Sequence, residues 1–161
     1  MSAREELGRH VQEIRTLSGI LGLLSWDQQV HMPPGGAQAR GAQLALLSEA
    51  VHARVSDGRM EGWLTELAGS QDPILAGGVR NLRRRYDRAC RIPMRLVGER
   101  ARAEAEGFEA WMKAREERDF SVFAPKLQQL VDLSIESAQH IDDSRPVYDV
   151  LLDDYLSLIH I

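Results

Sequence analysis

Apolar side chains recur at steps of three and four residues along most of the chain, which is the spacing of one face of an α-helix. In the first segment, residues 3–30, the repeating residues are Leu7, Val11, Ile14, Leu17, Leu21 and Leu24. The same period predicts helices over residues 37–56, 58–68, 73–90, 93–118 and 120–141, and a short one near 147–156. No segment alternates with a period of two. The sequence therefore predicts an all-α array of about six antiparallel helices.

A stiff corner separates the first two predicted helices. Its two prolines fix two φ angles and its two glycines permit backbone angles closed to other residues; they are Pro33, Pro34, Gly35 and Gly36. Asp27 lies near the end of the first helix, where its charge meets the negative pole of the helix dipole. It should therefore have a partner, for which Arg40 is the nearest candidate across the corner, or the helix should run past it. Trp26 is expected to be a buried anchor at this point, because large aromatic side chains dominate core energetics.

Two further prolines mark helix boundaries. Asp72 followed by Pro73 is typical of a helix start, with the carboxylate as N-cap and proline at the first helical position. Pro93 should break or kink the helical pattern between residues 73–90 and 93–118.

The residues of the corner also resemble a known family, the Taq-type thermostable carboxypeptidases. Trp26-Asp27-Gln28 followed by Met32-Pro33-Pro34-Gly35 is similar to the N-terminal region of these enzymes. Other similar segments follow in the same order, from about Leu7 to Tyr155. They are Leu47-Ser48 with His52, Arg84-Arg85-Tyr86-Asp87-Arg88-Ala89, Ile92-Pro93, Trp111 with Ala114-Arg115, Asp119-Phe120 with Phe123-Ala124-Pro125 and Leu127, and Tyr148-Asp149 with Leu151-Leu152-Asp153-Asp154-Tyr155.

The resemblance implies a metallocarboxypeptidase that uses zinc or another divalent metal held by an HExxH motif and removes C-terminal residues from peptides. The family chain is several times longer, and its catalytic motifs lie beyond the position of Tyr155. Residues 1–155 are therefore expected to be an N-terminal helical fragment of a larger peptidase fold, forming wall and lid helices beside the substrate groove. The resemblance also implies a homodimer. Residues 156–161 depart from the family pattern, and we interpret them as a non-native tail.

Length and composition are compatible with that interpretation. At 161 residues, 43% of them apolar and 27% charged, the chain fits one globular domain. A net charge of −4 argues against a general nucleic-acid binder, and no apolar stretch is long enough for a membrane span. The single cysteine and the absence of a secretory pattern at the start favour a cytoplasmic protein.

No catalytic, cofactor-binding or metal-ligating residue is assigned from the sequence. A zinc peptidase needs two histidines on one helical turn and a third ligand, and none of the five histidines has that spacing. One alternative is that His31, Asp27 and His52 meet in space as a cluster. Cys90 is interpreted as a small buried thiol on the apolar stripe of its helix.

An arginine-rich run forms the strongest charge feature. It contains Arg80, Arg83, Arg84, Arg85, Arg88, Arg91, Arg95, Arg100 and Arg102, against two acids, Asp87 and Glu99. A solvated helix face with carboxylate partners elsewhere is one interpretation, and an anionic ligand site or a partner surface is another.

The fragment itself should be inactive and bind no metal. The alternative function is a non-catalytic helical domain that binds a partner protein. If the chain is a wall cut from a larger enzyme, some apolar faces should be exposed. The candidates lie on the two long helices near the middle of the chain: Phe108, Trp111 and Met112 against Phe120, Phe123 and Leu127.

Overall fold

The computed structural model describes residues 2–33 and 35–153, and within these ranges the chain is helical with no strand, which confirms the all-α prediction. The helices are α1 Ala3–Val30, α2 Ala37–Val55, α3 Arg59–Leu67, α4 Pro73–Arg91, α5 Met94–Glu117, α6 Ala124–Ile141 and α7 Val147–Leu152. Most ends fall within one or two residues of the predicted ones. The predicted tail at residues 156–161 lies outside the described residues.

The start of α6 differs from the prediction. A separate 3₁₀ turn, Phe120–Val122, occupies the first residues that were assigned to this helix. The Asp119 carboxylate accepts a hydrogen bond from the Ser121 amide at 2.9 Å and so caps the short turn, and Pro125 stands in the first turn of α6. Local capping therefore divides a segment whose apolar period is continuous.

Side-chain caps fix two other helix starts. Ser2 and Glu5 form a capping box at α1, in which the Glu5 amide donates to Ser2 Oγ and the Ser2 amide donates to Glu5 Oε2. At α4 the Asp72 carboxylate accepts hydrogen bonds from the amides of Ile74 and Leu75, and Pro73 is the first helical residue, as predicted.

Helix α2 lies at the centre of the array, with α5 packed along it and α1 on another side. Helix α5 approaches α2 closely at Gly41, where a Cβ atom would lie 3.6 Å from Ala105 Cβ and 3.9 Å from Arg102 Cα. The small residues Ala45, Ala101 and Ala105 continue this contact. Because these side chains are so short, the two helix axes come together and form the floor of the groove described below.

A second apolar cluster joins α1, α2, α3 and α4. It is formed by Leu7, Ile14, Val55, Met60, Leu64 and Val79. Helix α6 packs on the other side of α5, where Leu96, Ala103 and Leu133 form a third cluster. The core is thus distributed along the helices. The C-terminal half of α1 contributes to it only with the side that faces α2 and α5, which we call its inner side.

The prediction that Trp26 is buried is wrong. Its side chain is 53% exposed, and its ring packs edge-on against His31 at a centroid distance of 5.1 Å. The inner side of α1 continues from Leu24 to Gln28, which is buried. Trp26 lies two residues after Leu24, and a helix turns about 200° over two residues, so Trp26 points away from α2 and α5.

Candidate functional site

A groove with a volume of about 360 Å³ lies between α1, α2 and α5. Its walls alternate apolar and hydrogen-bonding side chains: Leu21, Ser25, Gln28, Gln29, Leu44, Ser48, Ala101, Glu104, Ala105 and Phe108. The groove offers hydroxyl and amide groups and one carboxylate, which suit hydrogen bonding to a polar chain such as a peptide backbone.

Gln28 is the fixed polar group of this groove. It is buried, and its Nε2 donates to the carbonyl oxygen of Ala105 at 3.2 Å, which ties the end of α1 to the middle of α5. Gln28 was not predicted to be a site residue. The signal was present, because Gln28 follows Leu24 by four residues and so falls on the inner side of α1.

The corner after α1 is held by an ion pair, as predicted. Arg40 Nη2 donates to Asp27 Oδ2 at 2.5 Å, and Arg40 Nη1 donates to the carbonyl oxygen of Leu24 at 2.5 Å. Gly35 adopts a positive φ of 84°, which only glycine takes without strain. This corner therefore fixes where the last turn of α1, and with it Gln28, meets α2.

The structure does not bring the suggested histidine cluster together. His31 caps the end of α1, whereas His52 lies about four turns along α2, roughly 20 Å from the corner by helical rise. Asp27 is paired with Arg40. Among the described residues no group of three histidine, cysteine or acidic side chains could hold a metal ion.

His52 has a perturbed environment of its own. Burial lowers the pKa of this imidazole from its ordinary value of 6.5, and a hydrogen bond with the backbone of Ile92 acts in the opposite direction. The ring thus joins α2 to the break between α4 and α5 in its neutral form. Among the described residues, His52 belongs to no group of three potential metal ligands.

The arginine run is largely paired, which supports the first of its two interpretations. Carboxylate partners come from five places: Arg83 pairs with Glu61, Arg84 with Asp153, Arg95 with Glu136, Arg100 with Glu104 and Arg102 with Glu49. Arg91 Nη1 donates to the carbonyl oxygen of Ile141 at 2.6 Å. These contacts join α4 and α5 to α2, α3, α6 and α7. Four of the five carboxylate pairs are thus interhelical ties, whereas Arg100–Glu104 lies within α5.

The prediction that Cys90 is buried is also wrong. The thiol is exposed, and the neighbouring Ala89 takes the position against the apolar cluster of α1 to α4. A hydrogen bond with the Cys90 side chain raises the pKa of Tyr86 one turn earlier. By spacing alone, either Ala89 or Cys90 could continue the apolar stripe of α4. Ala89, the smaller of the two, fits against the neighbouring helices.

Four of the six apolar candidates on α5, the 3₁₀ turn and α6 are exposed: Trp111 at 38%, Met112 at 44%, Phe120 at 65% and Leu127 at 38%. Phe108 and Phe123 are half-buried. The aromatic pairs Phe108–Trp111 and Phe120–Phe123 cover each other in part, with centroids 5.9 and 6.2 Å apart. The described residues therefore do not close a complete core at this end.

The fold and groove define an all-α unit with a polar groove between α1, α2 and α5. The sequence profile of the Carboxypeptidase Taq (M32) metallopeptidase family matches residues 6–157, and the chain belongs to this family. Thermostable carboxypeptidase 1 of Thermus thermophilus is 34% identical over 96% of the chain, which spans 33% of that protein.

Two solved structures share the fold. The crystal structure of BsuCP superposes with a TM-score of 0.88 at 23% identity, over 95% of this chain and 31% of that one. The crystal structure of the M32 carboxypeptidase from Deinococcus radiodurans R1 superposes with a TM-score of 0.65 at 32% identity, over 88% of this chain and 29% of that one. The chain thus spans about a third of its relatives, which confirms the expectation of a fragment.

The family is one of metallopeptidases, which implies a divalent metal in a family-length enzyme. The described residues of this chain do not fit such a group, because no three potential ligands come together. None of the helices in the described part of the chain combines the length and apolar character that a bilayer crossing requires.

Proposed function

We propose that this chain is the N-terminal helical part of a metal-dependent carboxypeptidase that releases single amino acids from the C-termini of peptides. The observation that carries the proposal is the family match over residues 6–157 on a fold that leaves a hydrogen-bonding groove open. In this proposal the groove between α1, α2 and α5 is part of the wall beside the substrate. The metal ligands and the catalytic glutamate belong to the remaining two-thirds of the family-length chain.

The finer features of the proposal follow the family resemblance. The full-length enzyme would use zinc or another divalent metal, form a homodimer and act in the cytoplasm. Residues 1–155 would be the family's own helical region, with 156–161 as a non-native tail. The fragment alone would bind no stoichiometric metal and have no peptidase activity, because its sequence contains no HExxH motif and no two histidines with that spacing.

The first test is the reading frame downstream of the sequence that encodes Tyr155. An in-frame HExxH supports the peptidase and a non-native tail. A frame that ends naturally at residue 161 contradicts the fragment interpretation and favours the alternative, a helical domain that binds a partner protein.

The second test measures activity in the 161-residue chain and in the family-length chain. The substrate is a dipeptide blocked at its amino end, and the control is the same dipeptide with an amidated C-terminus. We expect the long chain to cleave only the free acid and to lose activity on chelation. Turnover or one tightly bound zinc per molecule in the 161-residue chain would contradict the proposal, as would a long chain with no metal-dependent turnover.

A further inference from the structure

The C-terminal half of α1 has a second apolar side that nothing in the described structure covers. We call it the outer stripe, and it consists of Ile20, Leu23, Trp26 and Val30, whose side chains are 43%, 62%, 53% and 56% exposed. The steps of three, three and four residues place them along one line of the helix. The inner side, with Leu21, Leu24 and Gln28, already packs against α2 and α5.

Nothing in the described structure explains why position 19, which lies on the line of the outer stripe, is a glycine. Gly19 lies one turn before Leu23, and no atom lies within 4 Å of the position that its Cβ would occupy. Glycine destabilises the interior of a helix relative to alanine. At Gly41, by contrast, the missing side chain lets α5 approach α2 closely. Gly19 would therefore let a second helix approach α1 closely, as Gly41 does for α5 and α2.

The charge pattern agrees with a covered surface. Between Thr16 and Val30, Asp27 is the only charged residue, and its charge is paired with Arg40. The first half of the same helix carries six charges: Arg4, Glu5, Glu6, Arg9, Glu13 and Arg15. A helix face in contact with water can carry charges along its whole length. A buried face carries few, because unpaired charges are costly to bury.

We infer that the outer stripe is the seat of a helix from the part of the family-length chain that lies outside these 161 residues. The inference rests on the proposed function, in that this chain spans about a third of its relatives. The size of the stripe favours this occupant over a second copy. From Gly19 to Val30 it is about 17 Å long and about 10 Å wide, far less than the roughly 800 Å² per partner of a stable interface. A helix in the same chain needs no such area, because the tether supplies a high effective concentration.

The test compares Leu23→Glu in the family-length chain and in the 161-residue chain. In the long chain the buried carboxylate should lower the melting temperature by several degrees, while the 161-residue chain, with Leu23 in water, should change by a degree or less. The matched control is Leu46→Glu on α2, since Leu46 is 68% exposed and lies off the stripe. It should leave both chains unchanged.

Gly19→Ala is an independent test, because its effect on the melting temperature should have opposite signs in the two chains. In the 161-residue chain the added methyl enters open space and raises the melting temperature through helix propensity. In the long chain it meets the packed helix and lowers the melting temperature. Gly62→Ala on α3, with open space around it, should stabilise both chains.

Three results for the long chain with Leu23→Glu would overturn the inference. The first is an unchanged melting temperature. The second is a rise in KM without loss of stability, which would make the stripe part of the substrate-binding wall, and the third is dissociation of a dimer into folded monomers of unchanged stability. Activity is a separate readout. An active long chain that tolerates Leu23→Glu refutes only this inference, and an inactive one that Leu23→Glu destabilises refutes only the proposed function.

Discussion

Arg40 closes the corner between α1 and α2 by donating to the Asp27 carboxylate and to the Leu24 carbonyl, both at 2.5 Å. Its side chain is 13% exposed and that of Asp27 is 34% exposed, so the pair is shielded from much of the solvent. A cation here is stabilised by both the Leu24 carbonyl and the Asp27 carboxylate, close to the negative end of α1.

Arg40→Met should therefore lower the free energy of unfolding by about 1.5–3 kcal/mol, the usual value for hydrogen bonds to charged groups. Urea denaturation measures it. Arg100→Met is the control, because Arg100 is 47% exposed and makes an i,i+4 pair with Glu104 on its own helix; its loss should cost no more than about 0.5 kcal/mol. Equal losses for the two variants would show that the corner pair is no stronger than a surface pair.

The close crossing of α2 and α5 predicts a size limit at Gly41. A Cβ atom there would make an ordinary contact at 3.6 Å with Ala105 Cβ, so Gly41→Ala should be tolerated. Gly41→Leu should cost about 1–3 kcal/mol, because extra methylenes would force the helices apart. Gly62→Leu, in open space, is the control and should not destabilise the protein. The prediction fails if the leucine variants at the two positions unfold at the same urea concentration.

The helices could be predicted because their apolar period and their breakers agree. The corner from Pro33 to Gly36, the Asp72-Pro73 start and the break at Pro93 each act through local backbone chemistry, and each is where it was expected. Trp26 was misplaced because it was assigned by its size and not by its angle on the helix. Two residues from Leu24 it could not share the inner side.

Partners of the charged residues depend on packing, which the spacing of residues does not contain. The carboxylates that pair with Arg83, Arg84 and Arg95 come from three other elements, α3, the end of α7 and α6. Only Asp27–Arg40 was foreseen, because one short corner joins the two residues. The groove was missed for the same reason, since α5 reaches it from more than seventy residues away in sequence, as the contact of Gln28 with Ala105 shows.

His52 should make stability depend on pH as the pH falls below the ordinary imidazole pKa of 6.5. Burial lowers its pKa below the unfolded value of 6.5, so the unfolded chain binds a proton that the folded chain resists. Stability should therefore fall as the pH drops through 6.5 towards the folded-state pKa. The pKa of Asp57 is also lowered, by its hydrogen bond with Arg59, but an aspartate loses its contribution only near and below pH 4.

Urea midpoints at several pH values between 5 and 7.5 test the role of His52. His52→Gln keeps a polar side chain that does not titrate, so its midpoint should change less over this interval than that of the wild type. His140→Gln is the control, since His140 is exposed on α6. The assignment is contradicted if His52→Gln and the wild type show the same pH dependence.

Arg118 ends α5 in the left-handed conformation, with φ 54° and ψ 35°, the only non-glycine residue with positive φ in the described part of the chain. The helix needs this conformation to turn into the 3₁₀ segment, and a Cβ atom makes it unfavourable. Arg118→Gly should therefore raise the free energy of unfolding by about 0.5–1 kcal/mol, after the greater freedom of glycine in the unfolded chain is subtracted. Arg118→Ala separates backbone strain from the arginine side chain, because it keeps the Cβ atom and removes the charge. If the backbone at residue 118 is strained, the alanine variant should unfold at the same urea concentration as the wild type and the glycine variant at a higher one. An alanine variant as stable as the glycine variant would show that the guanidinium group, and not the backbone, is unfavourable.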